Sequence, residues 1–447
     1  MDRESYLLGP FREHADFLRE YTRRGIENHR KGGVALRVTD ENGAPLPGAA
    51  VEVCQKTHDF FYGANLFMLD EFETAEKNAA FRKAFPQYFN FATLPFYWAD
   101  LEPQEGKPRF YKDSPRVYRR PAPDLCLEYC EENGIMPKAH CLNYDLHTPL
   151  WLTERSAQAQ WERLEKRFSE LSRRYAGRIP GWEVTNEHFW GDHRSRMYED
   201  DRFVERSFAL AEKYFPGNEL IINEAASMFS DPFIGDRDKY LMLTQRAISR
   251  GSRIDAVGFQ YHIFATPEKE ADLCGRMLDP IKQIRVLETF ARELKRPMQI
   301  TEITLPCMDP YSREAEDLQA ELLRQLYTLW FSVPDMEAII YWNPVDGYAY
   351  KAEPGDFSAG ENRYAGGLMH FDLTPKPAAE MIRTLFTKTW HTEDTLTAGP
   401  NGEVRLRGFY GAYEARITVN GKTFISPFRI RRGEENRTMC LSVPRKE

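Results

Sequence analysis

The chain has 447 residues, 42% hydrophobic and 29% charged, with a net charge of −8; this balance marks a folded globular protein. With no dense Lys/Arg stripe it argues against a nucleic-acid partner, and no run approaches the roughly 20 apolar residues of a membrane span. The start, Met-Asp-Arg-Glu-Ser-Tyr, carries no apolar signal core and the 7 scattered Cys suit reduced thiols, so a cytoplasmic protein off the membrane is expected.

Residues 3–31 are charged and predicted helical, within a leader spanning 1–33. Alternating runs at 34–38 and 49–53 flank Glu41-Asn42-Gly43-Ala44-Pro45-Leu46-Pro47-Gly48, a strong turn signal, and assign 34–58 to accessory β strands. From 59 to 387 apolar runs alternate with helical patterns. Strands are predicted at 61–67, 89–96, 135–143, 181–187, 220–225, 256–262, 298–304 and 338–344. Helices are predicted at 157–175, 201–215, 280–294 and 314–331, with exit signals at Asn133-Gly134 and Gly251. Eight strands alternating with helices predict an α/β fold, a (β/α)8 TIM barrel. A doubly wound open sheet is the alternative, weakened because no Gly-x-Gly-x-x-Gly follows the first strand. Beyond 388, runs at 403–407, 414–419 and 424–430 form a second β set, broken at Asn420-Gly421. Isolated hairpins are marginal in water, so 388–447 is expected to pack with 34–58 in one small β module.

On a barrel, active sites assemble at the C-terminal ends of the strands. Polar or aromatic residues closing the predicted strands are His140 and Asn143, Asn186 and Glu187, Asn223 and Glu224, Gln260 and His262, Glu302, and Trp342. A lone glutamate closing a strand is usually a solvated cap or an ion-pair partner. Two of them, ending Gly181-Trp182-Glu183-Val184-Thr185-Asn186-Glu187 and Met298-Gln299-Ile300-Thr301-Glu302, point instead to a carboxylate pair for glycosidic bond cleavage. The plain alternatives are a satisfied core histidine for His140 and barrel packing for Trp342; Asn223 and Glu224 read as supports. Neither His140/His147 nor His188/His193 has the spacing of a His-Glu-x-x-His zinc helix, and no Gly-x-Ser-x-Gly elbow is present, so no metal or cofactor is expected.

These runs resemble glycoside hydrolase family 10, best known for β-1,4-xylanases. Trp182-Glu183-Val184-Thr185-Asn186-Glu187 is similar to the family's Trp-Asp-Val-Val-Asn-Glu, and Ile300-Thr301-Glu302-Ile303 to its Ile-Thr-Glu-Leu. Val257-Gly258-Phe259-Gln260-Tyr261-His262 resembles Gly-Phe-Gln-Ser-His. His140-Cys141-Leu142 followed by Thr148-Pro149-Leu150-Trp151 resembles the third-strand signature, and Phe371-Asp372-Leu373-Thr374-Pro375-Lys376-Pro377 the closing segment. The likeness covers about residues 60–387 in order. It implies Glu187 as acid/base and Glu302 as nucleophile of a retaining enzyme. It further implies that His262 holds Glu302 ionised, that Asn186 donates to the sugar 2-hydroxyl, that His140 and Gln260 grip the cleaved sugar, and that Trp342 forms its floor.

The departures lie next to that centre. The family's Glu-Asn-Glu-Met-Lys-Trp, which holds the neighbouring sugar, becomes Thr93-Leu94-Pro95-Phe96-Tyr97-Trp98, and Trp-His-Ser-Gln becomes Tyr144-Asp145-Leu146-His147. Tyr97, Tyr144 and His147 are therefore expected in an altered pocket, with Leu94 and Tyr97 offering an apolar surface. The expected partner is an oligosaccharide or small β-glycoside; an ordinary endo-xylanase and a catalytically silent carbohydrate-binding barrel are the other readings.

Overall fold

The computed structural model describes residues 2–190 and 193–444. Met1 of the expected leader and the last three residues of the expected C-terminal segment lie outside them. In chain order the strands are β1 (Lys31–Asp40), β2 (Ala50–His58), β3 (Phe61–Asn65), β4 (Phe91–Pro95) and β5 (Met136–His140). There follow β6 (Gly181–Asn186), β7 (Glu219–Glu224), β8 (Ala256–His262), β9 (Met298–Thr304) and β10 (Met336–Tyr341). The last are β11 (Glu393–Thr397), β12 (Glu403–Phe409), β13 (Gly411–Val419), β14 (Lys422–Ile430) and β15 (Thr438–Val443).

Strands β3 to β10 form a closed parallel barrel in sequence order, with β10 returning to β3. Every residue of β4, β6 and β9 is buried, as parallel strands covered on both faces require. Predicted and observed bounds coincide for β8 and β9. The strand expected over 135–143 stops at His140, although Leu142 and Asn143 stay buried. Burial continues into the loop bases above the barrel, so an apolar run outlasts the ladder. Helices Ala157–Tyr175 and Pro280–Leu294 also match their predicted spans. Ser156 and Asp279 cap their free N–H groups, and Trp161, Leu164, Phe168 and Leu171 form the buried stripe of the first. Gly134, at φ 64, ends helix Pro123–Asn133 in the left-handed conformation that glycine adopts without penalty.

The chain divides into two compact units. The barrel unit takes the described residues of 1–15, 62–330 and 335–380; the other takes those of 16–61, 331–334 and 381–447. The helical leader is two helices, Arg3–Glu13 and Ala15–Arg30, the first in the barrel unit and the second almost wholly in the other. Arg3 fastens the first helix to the barrel unit through Glu270 at 2.8 Å and the Pro306 carbonyl at 2.7 Å. In the other unit β12-β1-β15 and β11-β2-β13-β14 form two sheets. Leu36, Val38, Val51, Val53, Ile417 and Leu441 belong to its core. Strands β11 and β15 add to the predicted set; β11 is largely exposed and polar, so it lacks the alternation that reveals a half-buried strand. All seven cysteines are free, and no helix among the described residues is long and apolar enough to cross a membrane.

Candidate active site

At the C-terminal ends of the barrel strands lies a cavity of about 400 Å³, in the range of small-molecule sites. All ten side chains expected there line it: Tyr97, His140, Tyr144, His147, Asn186, Glu187, Gln260, His262, Glu302 and Trp342. Asn143, Asn223 and Glu224 do not; Asn143 donates to Ser207 at 3.0 Å, and Glu224 accepts from the His188 backbone at 2.7 Å.

Glu302 is held within β9, while Glu187 sits one residue beyond β6 in the left-handed region at φ 53. Such a backbone is strained for a side-chain-bearing residue and concentrates at functional sites. Gln260, on β8, joins the two carboxylates, donating to Glu187 Oε1 at 2.8 Å and to Glu302 Oε1 at 3.2 Å. Those two legs cap the separation of the oxygens at about 6 Å, which fits the roughly 5–5.5 Å of a retaining pair better than the roughly 6.5–9.5 Å of an inverting one. Glu187 Oε2 accepts from the Tyr144 hydroxyl and from Trp190 Nε1 at 2.7 Å. Glu302 Oε1 also accepts from Asn223 Nδ2 at 3.2 Å. The Asn186 side-chain carbonyl accepts from Asn223 at 2.8 Å and Gln260 at 3.3 Å, which leaves its amide N–H groups as the donors for a ligand.

Beneath the pair runs a buried charge chain. Lys138 and Glu183 form an ion pair, and the other Glu183 oxygen meets His140 Nδ1. Burial opposes ionisation of Glu183, but Lys138 and His140 outweigh it and hold its pKa down to about 2. Burial likewise opposes charge on His140, yet Glu183, then Glu302, raise it above its ordinary value. Glu302 is pushed the other way: burial raises it to about 8, with Glu183 and Glu187 adding to the push and His140 opposing it.

Because the folded carboxyl keeps its proton where the unfolded chain has lost it, this group's contribution to stability falls as pH rises from the ordinary 4.5 to about 8. Glu302→Gln should therefore raise the thermal midpoint, by more at about pH 9 than at about pH 5. Denaturation curves at the two pH values check it, and a pH-independent difference would show that the carboxyl is not shifted upward.

Several expectations are corrected. His262 does reach Glu302, at 3.2 Å, but burial lowers its own pKa to about 4. It is therefore a neutral hydrogen-bond partner near neutral pH, and His140, 3.9 Å from Glu302, is the histidine whose neighbours favour its charged form. His140 has no nitrogen left to grip a sugar, since Nε2 is taken by the Tyr97 hydroxyl at 2.9 Å. Tyr97 is not an open platform; His147 stacks on it at 3.9 Å and Arg120 lies over its ring at 4.3 Å. Leu94 is fully buried and does not reach the cavity. Trp342 lies one residue past β10, packed edge-on against Phe67 at 5.1 Å, and lines the cavity.

Other lining residues carry no strand-end signal in the sequence: Arg119, Arg120, Trp190, Lys351 and Glu361. Trp190, three residues beyond Glu187, is within reach of a search past the strand end. Arg119, Arg120 and Lys351 sit on loops and Glu361 in the short 3-10 helix Gly360–Tyr364, where strand-end reasoning is blind. Among the described residues, His140, Glu183 and Glu302 bring ligand-type atoms within 4.8 Å of one another, as do Cys54, His391 and Glu393. In the first group Lys138 already supplies the cation, which disfavours a metal there.

The family profile described as glycosyl hydrolase family 10 matches residues 71–384. The anti-sigma-I factor RsgI6 of Acetivibrio thermocellus is 22% identical over 402 residues, covering 89% of this chain and 46% of that protein. The endo-1,4-beta-xylanase 2 of Arabidopsis thaliana is 21% identical over 420 residues, covering 92% and 35%. This chain thus spans half or less of the length of these curated relatives. Among solved structures, native xylanase 10B from Thermotoga maritima superposes with a TM-score of 0.58 at 21% identity, covering 74% of this chain and 96% of that one.

Proposed function

The chain belongs to glycosyl hydrolase family 10, and on that premise we propose that it cleaves β-glycosidic bonds with retention, by double displacement. The observation that carries this reading is the Gln260 bridge between two carboxylates at the ends of β6 and β9. In the first step Glu302 attacks the anomeric carbon while Glu187 gives its proton to the leaving oxygen. In the second, Glu187 takes a proton from water as the water oxygen bonds the anomeric carbon and the bond from that carbon to Glu302 breaks. In the unliganded chain burial keeps Glu302 protonated up to about pH 8, whereas the reaction needs Glu302 ionised and the proton on the acid. His140, 3.9 Å from Glu302, opposes the effect of burial and favours negative charge on Glu302. Asn186, with its amide oriented by Asn223 and Gln260, is the donor for the sugar 2-hydroxyl.

Stereochemistry tests the mechanism. Proton NMR of the first product should show the β anomer, and an initial α product would sink the double displacement.

We further propose short or substituted β-glycosides, not polymeric xylan, as substrates. Tyr97 replaces the family's lysine and is itself packed between His140 and His147. A sugar that loses hydrogen-bond partners in a buried subsite forfeits about 1–3 kcal/mol for each polar group left unpaired. Xylan, xylo-oligosaccharides and a panel of aryl β-glycosides assayed side by side should rank polymeric xylan low. Xylan as the best substrate by a wide margin would mean that these replacements are neutral.

A further inference from the structure

Beyond His140 the cavity wall turns cationic. Arg119 and Arg120 are adjacent in sequence, both line the cavity, and they are only 2% and 5% exposed. Arg120 directs Nε to Asp100 at 2.8 Å and Nη1 to the Arg119 carbonyl at 2.9 Å. Arg119 uses Nη2 on Asn343 at 2.5 Å and Nη1 on the Tyr348 carbonyl, while its buried Nε has no partner among the described residues. Lys351 joins them on the lining.

The acidic groups nearby are already engaged. Asp100 faces both Arg120 and His147, the latter at 3.4 Å, and Glu361 accepts from Asn343 at 2.5 Å. Burial opposes charge on Asp100, but His147 and Arg120 hold its pKa down to about 2. Burial and the neighbouring Arg120 lower Arg119 only to about 10, so it stays charged near neutral pH. The two buried arginines thus face two carboxylates already engaged, the buried Nε of Arg119 stays unsatisfied, and the exposed Lys351 adds a third cation at the cavity lining. A ligand anion would complete the set. The donor left unsatisfied is the buried Nε of Arg119, and a charged guanidinium N–H favours a carboxylate over a neutral hydroxyl.

The position fits a sugar. Arg120 lies over the Tyr97 ring at 4.3 Å, Tyr97 meets His140 at 2.9 Å, and His140 stands 3.9 Å from Glu302. Tyr97 and His140 alone thus link the cations to the reaction centre. We propose that this end of the cavity binds the carboxylate of an acidic sugar, so that the substrate is a β-glycoside carrying a uronic acid at or next to the cleaved residue. The substrate claim rests on the hydrolase reading above; the binding claim does not.

The test separates the two. Binding of free glucuronate and galacturonate to the wild-type chain is measured by NMR titration against glucose and xylose. Hydrolysis of aryl β-uronides and of uronic-acid disaccharides is measured against neutral counterparts. Acidic sugars should bind about tenfold tighter, the advantage of a charge-assisted contact, and Arg120→Gln and Arg119→Gln should bring the two classes near parity. Because both arginines are buried, Lys351→Gln serves where they fail to fold, and it should cut the acidic preference at least severalfold. Neutral sugars binding as well as acidic ones, or an acidic preference unchanged in a folded variant, overturns the proposal. Binding of uronates without hydrolysis of any glycoside would remove the hydrolase reading and leave the site; hydrolysis of neutral glycosides without uronate binding would do the reverse.

Discussion

On the proposed double displacement, Glu302→Ala should abolish turnover of every β-glycoside, activated aryl glycosides included, because the reaction would lose the carboxylate that attacks the anomeric carbon. Glu187→Ala should behave differently. A leaving group such as nitrophenolate needs little protonation, so its first step survives, while poor leaving groups lose about 10²–10⁴-fold. The second step then lacks its base, and the glycosyl-enzyme accumulates; a burst in stopped-flow traces and an intact-mass increase of one sugar report it. Equal losses for good and poor leaving groups would remove Glu187 from the acid/base role. Tyr144 and Trp190 both donate to Glu187 Oε2 and so orient its carboxyl.

The second large effect concerns folding. Glu183 is fully buried between Lys138 and His140. Glu183→Ala strands two cations away from water and should destabilise the barrel by about 3–5 kcal/mol. A Lys138→Met/Glu183→Leu pair removes both charges and should recover most of that loss, since replacing a buried ion pair by apolar groups is often close to neutral. With its folded pKa at about 2, Glu183 contributes stability present above its ordinary 4.5 and lost as pH falls toward 2. The wild type should therefore lose stability through that acid window more steeply than the double variant. Denaturant titrations across the window measure both effects, and a Glu183→Ala chain as stable as wild type would show that the pair is solvated.

The amino-acid order alone carries much of this. Burial on both faces writes parallel strands as continuous apolar runs, and a carboxylate, amide or imidazole interrupting such a run is conspicuous. That is why β8, β9 and their Gln260, His262 and Glu302 are legible with their bounds, and why all ten expected side chains meet in one cavity. The exposed strand β11 leaves no such trace, because solvent imposes no alternation on an edge strand with two polar faces. Nor is the state of each side chain written in the order of residues. Whether His140 faces a sugar or the Tyr97 hydroxyl, and whether it or His262 carries the charge beside Glu302, depends on which groups lie within about 4 Å across the barrel, where Coulomb energies rival the cost of burial. Arg119 and Arg120 sit on a long loop with no periodicity, and only the closing of the barrel brings Arg120 over Tyr97 and both arginines to the cavity. The order of strands and the identity of the carboxylate pair are properties of the sequence; the proton positions, the occupied faces of the aromatic rings and the cationic wall are decided by tertiary packing, because each is a relation between residues far apart in the chain.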